Sequence, residues 1–533
     1  MKRFVLTNIN KFYNNNNNRF QGAVSAVIII NLVLAVTALL KDVFTASYLG
    51  TSSQADAFLL AYFLPDMAGN NILASSIGIA CIPVFSRLLT SKDSYRMIKS
   101  ITSIFLYFTI FSLLLLVFSI LAKDLIIRNL GSGLDVSTRI LCTKLFVIML
   151  PILVVYPIIA IGTAVMQVYN RFIIPALAPV VFNLFFLSGL LYGYFLVKPL
   201  QKGVYAISVS ILVGVMAMIT LIWGSLKKHH VKILMWPKIS EFFRPSADVK
   251  DIFKTFFPYV LILMSSQLVF VVERYLASNL GVGTIAGLNY AFRLAQFPLW
   301  VFVSAVSVVA FPSMSKATGM GRLEELKGTL SKSLQLVLII TLPLTICLFV
   351  LRVPIVSILL QRGSFEANSV QITAGILAGY ALTVVSQGFV IICIRAFLAI
   401  DRVLVALLVA IVSSGVNIIF DIYLVKVMGS AGLGYGAAAG ALVNSMIIVF
   451  LLNRTLELGI NKRLSVFMKI VAANIPVLLV MWLFYKVWYF VEPNGGFVRV
   501  GYAFGVVAVG LPLYLACLRL LRIKVMDTLN NLI

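Results

Sequence analysis

Charge is what this sequence has least of. Only 11% of its 533 residues are charged, and 18 Asp and Glu stand against 43 Lys and Arg. A soluble chain needs a polar surface, yet here 61% of residues are hydrophobic and mean hydropathy is +1.04, more apolar surface than one core can bury. Lipid must therefore be part of the solvent. Other absences exclude whole classes of function. The five cysteines (Cys81, Cys142, Cys347, Cys393, Cys517) contain no C-x-x-C pair, which argues against a disulfide framework or a zinc site and leaves them as core residues. No G-x-x-x-x-G-K-[ST] loop occurs, so ATP is not expected to drive the protein directly. Gly281, Gly283 and Gly287 join two apolar runs instead of a strand and a helix, so they are no nucleotide fingerprint.

What is present is a succession of apolar runs. A spanning helix needs about 20 such residues. Runs of this kind fall near 22–40, 56–86, 98–121, 140–165, 173–196, 203–225, 252–279, 285–313, 331–351, 371–394, 404–426, 432–453, 467–489 and 499–521. The expected fold is an all-α polytopic membrane protein of about fourteen spans, with both termini on one side. The net charge of +25 gathers in alternate turns, above all from Lys227 to Lys254, and also at 87–99 and from Arg454 to Lys469. That pattern is an orientation signal and no nucleic-acid footprint; it puts both termini in the cytoplasm. The segment 1–21, with its Asn14–Asn18 run, is too polar for a cleavable signal and reads as a cytosolic lead-in.

Two landmarks recur at an offset of about 231 residues. YLGTSSQADAFLLAYFLP (48–65) resembles NLGVGTIAGLNYAFRLAQFP (279–298), and each precedes a helix ending in Pro-x-x-Ser, Pro83 to Ser86 and Pro312 to Ser315. Further on, YNRFIIPALAPVVFNL (169–184) resembles AIDRVLVALLVAIVSSGVNI (399–418), pairing Arg171 with Arg402 and, after a small slip, Asn183 with Asn417. Two pseudo-symmetric six-helix lobes follow, 22–226 and 251–453, joined by a basic linker at 227–250. Two more spans and a tail occupy 454–533. Six is an even number, so the lobes are parallel repeats, and a central cavity between them is expected. The last two spans either form an apolar groove or pad the bundle.

Ionisable groups within a bilayer are costly, about 2.5–3.5 kcal/mol on insertion scales, and so each needs a partner, water or a task. Lys144, Arg274 and Asp66 fit snorkelling at an interface. Lys41 and Asp42 precede the first external turn, Asp56 opens span two, and Arg293 lies in span eight. Arg293 and Lys41 suit a phosphate or diphosphate headgroup, a guanidinium fork beside a point charge, while Lys41 with Asp42 also fits a plain interfacial ion pair. Asn417 and Asp421, four apart, share a helical face, and Glu273 begins the same lobe. Their oxygens suit a hard cation, Na+ or H+ as a coupling ion. Equally, they fit a buried carboxylate satisfied by Asn417, Tyr423 or Arg274. Pro65, Pro151, Pro157, Pro258, Pro298, Pro343 and Pro476 interrupt spans and permit kinks.

KDVFTASYLGTSSQADAFLLAYFLPDMAGNNILASSIGIACIPVFS (41–86) resembles the amino-terminal signature of the MurJ/MviN proteins, within the multidrug/oligosaccharidyl-lipid/polysaccharide exporter superfamily. LNYAFRLAQFPLWVFVSAVSVVAFPSMSK (288–316) and the FLAIDR…N stretch (397–417) continue the resemblance over nearly the whole chain. It implies a flippase that moves lipid II, the undecaprenyl-diphosphate-linked peptidoglycan precursor, by alternating access, driven by membrane potential or a cation gradient. Lys41 stands where the family has a cavity arginine, Asp56 in its Asp-Ala-Phe motif, Arg293 at its span-eight arginine, and Glu273, Asn417 and Asp421 at its sodium site. Ala35 and Gly69 stand where two further headgroup arginines occur, Asp66 replaces an asparagine, and Ala74–Ser76 replaces Ala-Glu-Gly. A flippase for another lipid-linked exopolysaccharide or teichoic-type precursor is therefore the rival reading. A drug/cation antiporter fits less well with Lys41 and Arg293, and an enzyme would have to rely on Asp124 and Asp135 in one short turn. No cofactor beyond a coupling ion is implied; the expected partners are the lipid-linked precursor and membrane lipids, with no nucleic acid, and the chain is expected to be a monomer.

Overall fold

Among the residues described by this computed structural model (26–27, 29–91, 93–228, 245–457, 460–492, 496–521 and 523), fourteen helices are long and apolar enough to cross a bilayer, and no strand occurs. They are α1 (Ile29–Leu49), α2 (Ser53–Thr90), α3 (Ser94–Leu121), α4 (Val136–Val168), α5 (Ile173–Leu196), α6 (Leu200–Lys228), α7 (Ala247–Ser278), α8 (Thr284–Gly319), α9 (Leu323–Val350), α10 (Ala367–Ala399), α11 (Leu404–Met428), α12 (Ala431–Leu456), α13 (Ser465–Val491) and α14 (Phe497–Leu520). The chain is thus an all-α polytopic membrane protein. Residues 1–21 and most of the 227–250 linker lie outside the described residues. The first span differs from the expected 22–40: its helix continues to Leu49, so Lys41 and Asp42 sit inside it. Two charges in an apolar run read as a boundary, but a helix tolerates such a pair where its neighbours enclose it.

The chain forms two compact units. One holds residues up to Tyr48, Ala57–Asn129 and Asp135–Met264; the other holds Leu49–Asp56, Leu130–Leu134 and Ser265–Ile533. The division thus falls within α7, and the 49–56 turn belongs to the second unit. In the first unit α4 is the most buried span, and in the second α10, its counterpart in the repeat. Within the first unit, Arg87 at the end of α2 pairs with Asp251 at 2.8 Å, and Arg96 in α3 with Asp248 at 3.0 Å. These pairs fasten the start of α7. In the second unit α13 and α14 pack on α9, where Leu338 and Ile339 meet Ile470, Val477 and Leu518, and the Tyr514 hydroxyl donates to the Ile339 carbonyl at 2.8 Å.

One backbone feature repeats with the sequence. Each half contains a wide π turn, Met67–Ala74 in α2 and Leu299–Val303 in α8, just after Pro65 and Pro298. The Ser75 N–H reaches the Asn70 carbonyl and the Ser304 N–H that of Leu299, each five residues back. Proline removes a main-chain donor and crowds the preceding turn, which favours local widening of this kind.

Candidate functional site

Charge buried at membrane depth concentrates in three places. The first lies in the second unit, where α7, α10, α11 and α12 meet. Glu273 is 1% exposed and Asp421 is 0% exposed, and they lie close enough for their charges to repel. Burying one bare carboxylate is expensive, and two together need donors or a cation. Tyr380 of α10 donates its hydroxyl to Glu273 Oε2 at 3.0 Å. Asn417, its amide nitrogen turned toward Asp421, donates to Oδ2 at 2.9 Å and Oδ1 at 3.3 Å, which leaves the Asn417 carbonyl oxygen free of that contact. Tyr423, one expected partner, is exposed instead. Arg274 turns its guanidinium to the Phe270 carbonyl at 3.1 Å and over the Phe270 ring, while its charge still acts on Glu273.

Small residues make this seat possible. A β-carbon at Gly436 of α12 would lie 2.0 Å from Asp421 Oδ1, and one at Gly440 would lie 2.5 Å from the Asn417 β-carbon. These two glycines, one helical turn apart, open the space that the acid and amide fill, in the manner of a small-xxx-small contact. The donor set is two carboxylates, an amide oxygen and a phenol. All are oxygen ligands that a hard cation prefers. Among the described residues no three His, Cys, Asp or Glu side chains converge, so the set suits a monovalent ion or a proton better than a divalent metal.

The second place lies in the first unit. Lys41 of α1 is 7% exposed; its Nζ stands 3.7 Å from Asp42 Oδ1 and 5.3 Å above the Phe186 ring of α5. Close by on the same two helices, the Asn183 amide donates to the Thr37 hydroxyl at 3.3 Å. At the repeat offset Asp42 corresponds to Glu273 and, after a small slip, Asn183 to Asn417, so both units carry an acid on the first helix and an amide on the fifth. Only the first has a lysine beside the acid. Gly69, where the family resemblance places an arginine, lies in the π turn with its β position 3.1 Å from the Tyr156 ring. Packing occupies the space a long basic side chain would need.

The third place is helix α8. Asp56 is 1% exposed, and its oxygens accept the main-chain N–H groups of Gly283 at 2.6 Å and Ala286 at 2.8 Å. It therefore acts as an N-terminal cap for α8, the device that satisfies orphan donors at a helix start. Main-chain donors, not a ligand, occupy both of its oxygens in this conformation. Gly283, at φ +88°, holds the left-handed turn before the helix, and a β-carbon there would strike the Thr51 carbonyl at 2.5 Å. Arg293 lies roughly 14 Å along the helix from its start at Thr284, half-buried, with its guanidinium 5.9 Å from the Trp300 ring centre.

Glu273, Asn417 and Asp421 are thus brought together as one cluster, and Lys41 and Asp42 form another. Tyr380, Gly436, Gly440 and Phe186 escaped sequence reasoning. A tyrosine or phenylalanine in an apolar span carries no signal of its own, whereas the spacing of small residues in the GLGYGAAAG run at 432–440 is a signal that could have found the two glycines.

Residues 45–496 match the sequence model of the family described as lipid II flippase MurJ. A protein of Buchnera aphidicola subsp. Schizaphis graminum named as a probable lipid II flippase MurJ is 24% identical over 517 residues, covering 95% of this chain and 98% of its own. The lipid II flippase MurJ of Burkholderia cenocepacia is 25% identical over 437 residues, covering 81% of this chain and 82% of its own. Among solved structures, one of lipid II flippase MurJ in an inward closed conformation superposes with a TM-score of 0.77 at 23% identity, covering 92% of this chain and 97% of that one. An inward-facing multidrug resistance MATE transporter gives 0.69 at 17% identity, covering 82% and 99%.

Proposed function

The chain belongs to the lipid II flippase MurJ family, and from that membership we propose that it carries lipid II from the cytoplasmic to the outer leaflet of a bacterial cytoplasmic membrane by alternating access, as a transporter and not an enzyme. The observation that carries the reading is the family match, which begins at the end of α1 and runs through twelve of the fourteen spans, α2 to α13. Supporting it, Lys41 keeps a cation at membrane depth beside Asp42, and Arg293 presents a planar fork of donors in α8; both suit a diphosphate. Lys and Arg gathered in alternate turns support cytoplasmic termini.

Glu273, Asn417 and Asp421 are proposed to take up Na+ or H+ as the coupling ion. Two buried carboxylates near enough to repel are relieved by one positive charge between them, which gives an ion a reason to bind.

A specific observation favours a second reading. Ala35 and Gly69 lack the charge that the resemblance assigns there, and Tyr156 packs where a side chain at 69 would extend. A different undecaprenyl-linked glycan is thus the rival cargo. Depleting the protein and identifying the undecaprenyl-linked intermediate that accumulates on the cytoplasmic leaflet separates the two. Lipid II should accumulate; accumulation of another linked glycan, with lipid II at its ordinary level, would reject the first reading.

A further inference from the structure

At the end of the second unit where α9 and α13 finish, the chain builds a charged cleft that the transport reading does not use. Past α9 the short helix Arg352–Leu360 leads into a turn at Gln361 and Arg362, and α14 starts beside it. The open cleft here has a volume of about 520 Å³, and its walls include Ser357, Gln361, Arg362, Phe497, Arg499 and Val500.

Arg499 is fixed in place by neutral groups alone. Its Nη2 donates to the Glu492 carbonyl at 2.6 Å, and its Nη1 donates to Gln361 Oε1 at 3.1 Å and Ser357 Oγ at 3.4 Å. The guanidinium lies 6.0 Å from the Trp488 ring centre, and Nε is buried with no hydrogen-bond partner. Arg362 makes one local bond, Nη2 to the Ile358 carbonyl at 3.3 Å. Among the described residues no carboxylate lies within ion-pair distance of either arginine. Carbonyl and amide oxygens orient a guanidinium without cancelling its charge. The cleft therefore keeps two positive charges.

The surroundings of these donors identify the class of anion. Phe497 is 95% exposed and Val500 is exposed too, an apolar lip beside a basic floor, and Phe490 and Val498, near them in sequence, are exposed as well. In water that lip would be a liability; at a membrane interface it sits among acyl chains while the guanidinium groups stay at headgroup level. We propose that Arg499, Arg362 and Gln361 form a seat for the phosphate of an anionic phospholipid in the leaflet at this end of the helices, the outer one when the termini are cytoplasmic. The lip argues for the lipid as the source over a free phosphate ion. The assignment is independent of the transported cargo.

The test uses the full chain in detergent with phosphatidylglycerol, phosphatidylcholine or inorganic phosphate as probes, and reads bound lipid by native mass spectrometry. The wild type should retain phosphatidylglycerol over phosphatidylcholine by about tenfold, and the Arg362→Gln, Arg499→Gln pair should lose that preference. Because Arg499 also ties α14 to the short helix, Arg362→Gln alone, which breaks only a local bond, should lower retention several-fold with an unchanged unfolding temperature. Arg499→Lys should keep part of it. Equal retention by wild type and the double variant would overturn the proposal. Displacement of the lipid by millimolar inorganic phosphate that itself raises the unfolding temperature as far would overturn the lipid as ligand.

Discussion

Gly436 and Asp421 are matched across the contact of α11 and α12: the acid's Oδ1 occupies the space where a β-carbon on residue 436 would stand, 2.0 Å away. Gly436→Ala should therefore push the carboxylate off its seat or force the helices apart, with a loss of about 1–3 kcal/mol. Asp421→Asn keeps the shape and removes the charge, so it should abolish any dependence of flipping on Na+ or H+. Flipping assayed in vesicles with and without each ion gradient checks both variants, and an ion dependence that survives in Asp421→Asn would discard the coupling site.

Asp56 satisfies two main-chain donors at the start of α8. Asp56→Ala strands both, and should cost about 2 kcal/mol, seen as a lower thermal unfolding midpoint. Asp56→Asn retains one acceptor and should cost about half as much. If both variants unfold with the wild type, the cap contributes nothing.

Arg293 should be needed for transport and not for folding. Arg293→Ala is expected to reduce flipping by at least about tenfold in a reconstituted assay, and Arg293→Lys to retain part, since a point charge replaces the fork. Full activity of the alanine variant rejects a headgroup role.

Gly69 faces the Tyr156 ring at 3.1 Å. Restoring the family's charge by Gly69→Arg should destabilise the protein by roughly 1–3 kcal/mol through overpacking. Tyr156→Ala in the same chain should relieve part of that loss, a coupling that a double-mutant cycle of unfolding midpoints measures.

Asp135 stands just before α4, outside the membrane, and bonds to the Ser137 hydroxyl and to the Thr138 amide at 3.1 Å. The Ser137 and Thr138 donors hold its carboxyl down at about 2. An unfolded aspartate titrates near 3.9, so this cap adds stability above about pH 4 that is lost as pH falls toward 2. The group is largely exposed, so the effect is small. Asp135→Asn keeps the cap and should flatten unfolding midpoint against pH in that window alone; a slope equal to the wild type's would refute it.

The spans were legible because hydropathy over about 20 residues is a strong signal. The end of α1 was less so, since Lys41 and Asp42 look like a boundary when only composition is seen. Burial distinguishes a snorkelling lysine from an enclosed one, and burial comes from partners such as Phe186 that lie 145 residues away. The acid–amide pair at 417 and 421 could be read from its spacing. Tyr380 could not, because only the packing of α10 brings its hydroxyl to Glu273. Pro65 and Pro298 announced a kink without revealing its form.

That form constrains how the helices evolve. Each residue of a helix advances its neighbours by about 100° around the axis, so the wide turn at Met67–Ala74 sets which side of the lower half of α2 looks inward. Ile77, Cys81, Val84 and Leu88 are buried there while Ile79 is exposed. Deleting one residue in that turn would rotate the stripe away from its partners, yet leave length and hydropathy almost untouched. The same sensitivity should attend Leu299–Val303 in α8. At these two points a gap in an alignment has a geometric meaning that it lacks along the rest of either helix.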